Sequence, residues 1–307
     1  MKTRLKLMAA PLFLGAALFA HPVFALGLGV AGDYNAFVFG DFVSSNTDTE
    51  GRLAAGGNVT LSNYGVGAKL TGVSTTIPSL LVGGNLTYTN GQVNKGNAIV
   101  GGNASTPGLT VLNGTLSSHV APLPVDFMAA KNALTSLSGT LSSSAANGSV
   151  AYNGGNIAIA GDGTNALQIF DIDGANLSSA SSLTISDPNS IFSGATLVFN
   201  VSGTSNAIRN MGMQDLKGYA GTVLFNFYDS TSLDMSGVGI EGSILAPNAS
   251  VTANNGQMNG TLVASSWDGS MELHNVPFTG AVPIPGAALL FGSGLMGLVA
   301  MRRFAKS

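Results

Sequence analysis

Glycine-rich corners recur along this chain about every twenty residues, and a short apolar run follows each of them. One series consists of Gly-Gly-Asn, with copies that begin at Gly56, Gly83, Gly101 and Gly154. A second series has one glycine before the run, with copies that begin at Gly194, Gly221, Gly242 and Gly260. Repeats of this length are typical of solenoids, because one coil alone cannot bury its apolar side and must stack on its neighbours.

The runs between the corners alternate apolar and polar residues, as in Leu86-Thr87-Tyr88-Thr89. Alternation with a period of two indicates strands, and we expect the glycines to supply unusual backbone angles at the turns. The sequence therefore predicts an all-β fold over residues 26–281, a right-handed β-helix (β-solenoid). A β-sandwich, which is also built from short strands, is the alternative.

One segment departs from the strand pattern. Asp126 follows a proline-rich bend and is a good residue to cap the start of a helix. The apolar residues after it recur at helical spacing: Phe127, Ala130, Leu134, Leu137 and Leu141. The sequence thus predicts one flanking α-helix over 126–142, which packs its apolar stripe against the side of the solenoid.

The N-terminus has the three parts of a secretory signal. Lys2, Arg4 and Lys6 form a charged region, residues 7–20 form an apolar region, and a small-residue cleavage site ends at Ala25. We therefore expect residues 1–25 to be a signal peptide, helical before processing, that is cleaved after Ala25.

The C-terminus, residues 282–307, combines a Pro-x-Pro motif, an apolar run over 287–301 and a basic end. As a helix the run spans about 22 Å, short of a bilayer core of about 30 Å, and its basic end should stay in the cytoplasm. We expect it to be a transmembrane segment that tethers the chain before processing.

This tail resembles a PEP-CTERM sorting signal of the VPLPA type. The residues that carry the likeness are Val282, Pro283, Pro285, Arg302 and Arg303. The resemblance implies that exosortase is a transient partner and that the source is a Gram-negative bacterium. It also implies that the product reaches the cell surface or the extracellular matrix.

The body, residues 26–281, resembles the choice-of-anchor A family. The likeness lies in FVFGDF (37–42), DTEGRLAAGGN (48–58), FNFYD (225–229), GSILAPNA (242–249) and ELHN (272–275). It implies a secreted surface adhesin with a β-helical domain and no catalytic residues. That family is also distantly similar to bacterial ice-binding β-helices, which likewise carry a helix along the stack.

Charged residues make up only 9% of the chain, and cysteine is absent. The lack of cysteine excludes disulfide scaffolds, thiol catalysis and cysteine zinc sites. Six of the 12 basic residues lie in the two termini, whereas all 15 acidic residues lie between them. The body is therefore acidic, and we expect no nucleic acid as a partner. For Glu50 and Arg52 we expect a local ion pair rather than a ligand contact.

No pattern of catalytic or metal-ligating residues occurs in the body. His119 and His274 stand outside any ligand spacing, and we expect both to be structural. Asp162, Asp171 and Asp173 could offer oxygens to Ca²⁺, but no calcium loop surrounds them, which favours a solvated strand face. We therefore expect no catalytic, cofactor-binding or metal-binding residues, no cofactor and no enzymatic activity.

Export, a removable anchor and a repetitive body together favour a non-catalytic surface or matrix protein. The main hypothesis is an adhesin or biofilm component that binds exopolysaccharide or another surface polymer and is processed by exosortase. The first alternative is an ice-binding β-helix, with Thr75, Thr76, Thr87 and Thr89 as candidate contacts. The second alternative is a polysaccharide-active enzyme, although no cluster of paired carboxylates supports it.

Overall fold

Parallel strands pair from coil to coil across most of residues 25–283, the part of the chain that this computed structural model describes. The predicted signal helix, the transmembrane segment 287–301 and Pro285, Arg302 and Arg303 lie outside the described residues and stay predictions. The cleavage residue Ala25 and the motif residues Val282 and Pro283 lie in two-residue strands at the ends of that range. Within it, no helix has the length and apolar character needed to span a membrane.

The described residues contain 24 strands, two α-helices and three 3-10 helices. The first twelve strands are β1 Ala25–Leu26, β2 Ala36–Val38, β3 Phe42–Ser45, β4 Asp48–Thr49, β5 Leu53–Ala55, β6 Val59–Val66, β7 Leu80–Val82, β8 Leu86–Val93, β9 Ala98–Val100, β10 Ala104–Ser105, β11 Leu109–Val111 and β12 Leu116–Ser117. The next are β13 Ser149–Asn153, β14 Asn156–Ala160, β15 Leu167–Ile172, β16 Ser182–Ile185, β17 Thr196–Val201, β18 Ser205–Arg209, β19 Val223–Asn226, β20 Ser232–Glu241, β21 Ser243–Asn259, β22 Leu262–Gly269, β23 Glu272–His274 and β24 Val282–Pro283. The α-helices are α1 Phe127–Ser142 and α2 Gly174–Ser179, and the 3-10 helices are Gly29–Asp33, Pro188–Ser190 and Gln214–Tyr219.

The stacked strands form a parallel β-solenoid with three faces, so the solenoid prediction is confirmed and the sandwich alternative is wrong. The helix face runs through β15, β17, β19, β21, β22, β2, β5, β7 and β9. The hydroxyl face runs through β18, β20, β21, β22, β3, β6, β8 and β10. The acidic face runs through β20, β21, β23, β4, β6, β8 and β11. The right-handed sense of winding stays a prediction.

The order of the coils in space differs from their order in the chain. The last coil of the C-terminal half, β22 and β23, stacks directly on the first coil of the N-terminal half, β2 to β4. The buried Asn35 side chain spans this junction, donating to the carbonyl oxygens of Gly260 (2.8 Å) and His274 (2.9 Å). Inside it, Trp267 stacks on Phe42 with 5.9 Å between ring centroids. The two halves therefore share one continuous interior.

Close stacking, rather than unusual backbone angles, explains the glycines at the first three Gly-Gly-Asn corners. A Cβ on Gly83 would lie 2.2 Å from the carbonyl oxygen of Gly56, and one on Gly101 would lie 2.4 Å from that of Gly83. The expected left-handed backbone is wrong there. The fourth copy is different: Gly154 and Gly155 have φ of 54° and 88° and turn the antiparallel hairpin of β13 and β14.

Helix α1 occupies the range predicted for it. Asp126 caps its start by accepting a hydrogen bond from the Ala129 N–H at 2.9 Å. Its buried apolar residues, including Leu134 and Leu141, pack against outward-facing apolar side chains of the helix face, among them Leu245 and Val263. The helix thus covers one side of the solenoid, and it leaves the hydroxyl and acidic faces for other roles.

Candidate functional site

Outward-facing hydroxyl groups form a regular array on the N-terminal part of the hydroxyl face. Outward-facing residues of four successive coils stack in two columns, because the parallel register aligns them one above another. Neighbouring coils are about 4.8 Å apart, and outward residues along one strand are about 6.6 Å apart. We call this set the hydroxyl ladder. One column consists of Thr60, Thr87 and Ser105 and ends at Val43, which has no hydroxyl. The other column spans three of the four coils and consists of Ser45, Ser62 and Thr89.

One edge of the ladder is fixed by side chains that cross from coil to coil. The Asp41 carboxylate accepts the Asn58 N–H at 2.7 Å, and the Asn58 side-chain oxygen accepts the Asn85 N–H at 2.9 Å. The Asn85 side-chain oxygen then accepts the Asn103 N–H at 2.8 Å. Asn103 in turn contacts His119 Nε2 at 3.0 Å. These are the asparagines of the Gly-Gly-Asn corners, and they set the register of the strands that carry the ladder.

The other edge is made by a second column of asparagines. Asn46, Asn63 and Asn90 each adopt a positive φ of 48° to 58°, which asparagine tolerates better than most residues. The Asn63 side chain donates to the Asn46 side-chain oxygen at 3.0 Å. The chain therefore turns at this edge in each of the three coils, and the bond from Asn63 to Asn46 links two of them.

The ladder carries no charged side chain, whereas the same columns become charged on the C-terminal coils. Asp268 continues the Thr60 column through Val43, and Asp234 lies two coils further on. Arg209 pairs with Asp234, its Nε donating to the carboxylate at 2.7 Å. Burial acts to raise the pKa of Asp234, but the hydrogen bonds from Ser236 and Arg209 and the charge of Arg209 outweigh it, so the pKa is lowered. The neutral part of the face is therefore the part formed by the N-terminal coils.

Two of the four threonines predicted as ice contacts lie on the ladder and two do not. Thr87 and Thr89 are in β8 and face outward, whereas Thr75 and Thr76 lie in the loop before β7. Thr60 and Ser62 were not among the predicted contacts, because they join Thr87 and Thr89 only through the register between β6 and β8. A six-residue pattern contains the missed signal: NVTLSN at 58–63 and NLTYTN at 85–90 have the same plan, 27 residues apart.

The aspartates considered for Ca²⁺ act in local structure. Asp162 accepts the N–H groups of Thr164 and Asn165 at 2.9 Å, and these bonds lower its pKa to about 2. Asp173 caps helix α2 by accepting the Asn176 N–H at 3.0 Å. The described structure does not bring these carboxylates together as one group of metal ligands.

A different group of potential ligands meets on the acidic face. Ligand atoms of Glu50, Glu272 and His274 lie within 4.8 Å of one another. Burial, followed by the negative charges of Glu272 and Glu50, raises the pKa of the neighbouring Asp48. Spacing along the sequence could not reveal this group, because Glu50 belongs to the first N-terminal coil and the other two to the last C-terminal coil.

The expected ion pair between Glu50 and Arg52 is wrong. Glu50 instead lies 3.8 Å from Lys69 Nζ and accepts the Asn275 N–H at 3.0 Å. Arg52 donates to the Asp33 carbonyl oxygen at 3.4 Å.

A family model described as "Putative Ice-binding-like adhesive domain" matches residues 27–275, which is most of the chain. The chain belongs to this family of ice-binding-like adhesive domains. No curated protein matches it.

Two solved structures resemble it. An ice-binding protein from the Antarctic ascomycete Antarctomyces psychrotrophicus is 14% identical, with a TM-score of 0.44, over 82% of this chain and 99% of that one. An ice-binding protein from an Antarctic biological consortium is also 14% identical, with a TM-score of 0.36, over 81% of this chain and 88% of the other. The family assignment depends on the family model and not on these two likenesses.

The family match corrects the main functional hypothesis. The family is neither choice-of-anchor A nor PEP-CTERM, so the hypothesis of an exosortase-processed adhesin of a biofilm matrix is wrong, and the first alternative has the better support. Membership of an adhesive family indicates an extracellular or surface protein. Membrane tethering and a Gram-negative source stay predictions.

Proposed function

We propose that this chain binds ice through the hydroxyl ladder and that it does so without catalysis. The observation that carries the proposal is the uncharged array of hydroxyls on stacked coils of a chain whose family is ice-binding-like. A crystal surface repeats in two dimensions, and a binding face for it must repeat as well. The ladder meets this requirement because the coil spacing and the strand spacing are both constant.

The chemistry of the ladder also suits water in a lattice. Each threonine has a hydroxyl that donates and accepts hydrogen bonds. Its methyl group can contact the ice surface between the hydrogen-bonded water molecules. Thr60, Thr87 and Ser105 are exposed in one column, and Ser62 and Thr89 are half-buried in the next. Because the groups stand on strands that pair with neighbouring coils, they lose little conformational freedom on binding.

Thermal hysteresis of the purified full chain tests this proposal. We expect the native chain to lower the freezing point below the melting point, and we expect Thr87→Glu to remove most of that activity. Glutamate places a bulky hydrated charge in the middle of the ladder. Thr75→Glu is the matched control, because it adds the same charge at an exposed position in a loop.

Far-UV circular dichroism should show the same fold for both variants. Equal loss of activity in Thr75→Glu and Thr87→Glu, or full activity in Thr87→Glu, would contradict the assignment of the ladder. The absence of thermal hysteresis in the native chain would contradict the proposed function itself.

A further inference from the structure

The acidic face holds a second feature, which the proposed function does not use. Glu50, Glu272 and His274 meet where the last C-terminal coil stacks on the first N-terminal coil. The three residues are half-buried, and Lys69, the basic group closest to Glu50, is 66% exposed on a long flexible side chain. The group therefore holds more negative than positive charge.

Hydrogen bonds from the neighbouring coil determine the tautomer of the neutral His274 ring. The Asn259 amide nitrogen donates to the Glu241 carboxylate at 3.1 Å, so its oxygen must face His274. That oxygen lies 2.8 Å from His274 Nδ1, which is therefore the ring nitrogen that carries the proton. In the neutral ring, Nε2 then presents a lone pair. This arrangement, with one ring N–H held by a second residue, is the one found for metal-binding histidines.

Distances fit a shared cation better than a direct contact. His274 Nε2 lies 3.4 Å from the Glu272 carboxylate oxygen, longer than a good hydrogen bond. Two ligands at about 2.0–2.1 Å from a tetrahedral zinc ion are about 3.4 Å apart. Glu50 adds a carboxylate from the adjacent coil, with a ligand atom within 4.8 Å of those of Glu272 and His274. Its Oε2 accepts the Asn275 N–H at 3.0 Å, and its Oε1 lies 3.8 Å from Lys69 Nζ.

We propose that Glu50, Glu272 and His274 bind a divalent cation of the zinc type, which links the two halves of the solenoid. One imidazole nitrogen and two carboxylate oxygens suit Zn²⁺, whereas Ca²⁺ prefers oxygen ligands alone. A cation held between the coils binds the folded chain and not the unfolded one, so it stabilises the junction.

Titration calorimetry and thermal unfolding of the full chain test the proposal, with no affinity tag and with EDTA removed beforehand. We expect one equivalent of ZnCl₂ to bind and to raise Tm, and CaCl₂ to do neither. His274→Ala and Glu50→Gln should abolish both effects. His119→Ala is the matched control, because this histidine is exposed and distant in the stack, and it should leave them intact.

Asn259→Ala tests the role assigned to the histidine partner. It removes no ligand, and we expect it to weaken zinc binding by about 10- to 100-fold. If circular dichroism shows that His274→Ala does not fold, Glu272→Gln replaces it as the ligand variant, because the Glu272 side chain is 45% exposed. It should likewise abolish zinc binding and the rise in Tm. A native chain that binds no zinc, or ligand variants that bind it as tightly as the native chain, would overturn the proposal.

Discussion

At the scale of single residues, asparagine has two separate tasks in this molecule. Asn58 and Asn85 accept the N–H of the next coil through their side chains, whereas Asn63 and Asn90 turn the backbone at positive φ. Asp41 performs the first task in the coil before Asn58. Accepting the N–H of the next coil requires a side chain of the right length that ends in an oxygen, and either an amide or a carboxylate provides one.

This division predicts losses of stability of different size for two substitutions of Asn58. Asn58→Ala leaves the Asn85 N–H without its partner and should lower the free energy of unfolding by about 1 kcal/mol. Asn58→Asp keeps the accepting oxygen and should cost much less, as Asp41 shows for the preceding coil. Urea unfolding followed by circular dichroism measures both. A loss as large for Asn58→Asp as for Asn58→Ala would show that the bond across the coils is not the reason for asparagine.

At the scale of elements, helix α1 is held to the solenoid by a buried polar contact as well as by its apolar stripe. The buried Ser138 hydroxyl donates to the Asn226 side-chain oxygen, and the Asn226 amide donates to the Ser138 carbonyl oxygen at 2.9 Å. The same amide donates to the Asn200 side-chain oxygen at 2.9 Å. Asn200 in turn donates to the Leu141 carbonyl oxygen at 2.9 Å. The contact sets where along the helix face α1 sits.

Substitution of two serines on α1 separates this contact from helix propensity. Ser138→Ala leaves the buried Asn226 oxygen without a hydrogen bond and should cost roughly 1–3 kcal/mol. Ser136→Ala makes the same change at an exposed position of the same helix and should be neutral or slightly stabilising. Thermal or urea unfolding of the two variants checks this, and similar values for both would contradict the role of the contact.

The sequence was informative where its signal is local. The corner repeat predicted the coils, and the cap at Asp126 with its apolar spacing predicted α1. The reason for the glycines was not predictable, because the atoms that exclude a Cβ at Gly83 belong to another coil. The functional surface was found only in part, because Thr87 has its neighbours Thr60 and Ser105 through register alone.

At the scale of the whole molecule, the junction between the halves decides what lies next to what. The Leu262 N–H donates to the Asn35 carbonyl oxygen at 2.8 Å. The last coil of the C-terminal half therefore stacks directly on the first coil of the N-terminal half. The charged coils that carry Asp234 and Asp268 are thereby placed on one side of the neutral ladder. The order of the coils in space could not be predicted from the repeats in the sequence, because the coils that stack at the junction come from opposite ends of the chain.

The central claim is that the hydroxyl ladder of the N-terminal coils is the ice-binding surface. Direct imaging of a growing ice crystal tests it, with the full chain labelled on lysine amines, since the ladder contains no lysine. We predict that the native chain and Thr75→Glu coat the crystal surface and that Thr87→Glu stays in the liquid. A native chain that is excluded from the ice, or a Thr87→Glu chain that coats it as densely as the native one, would contradict the account.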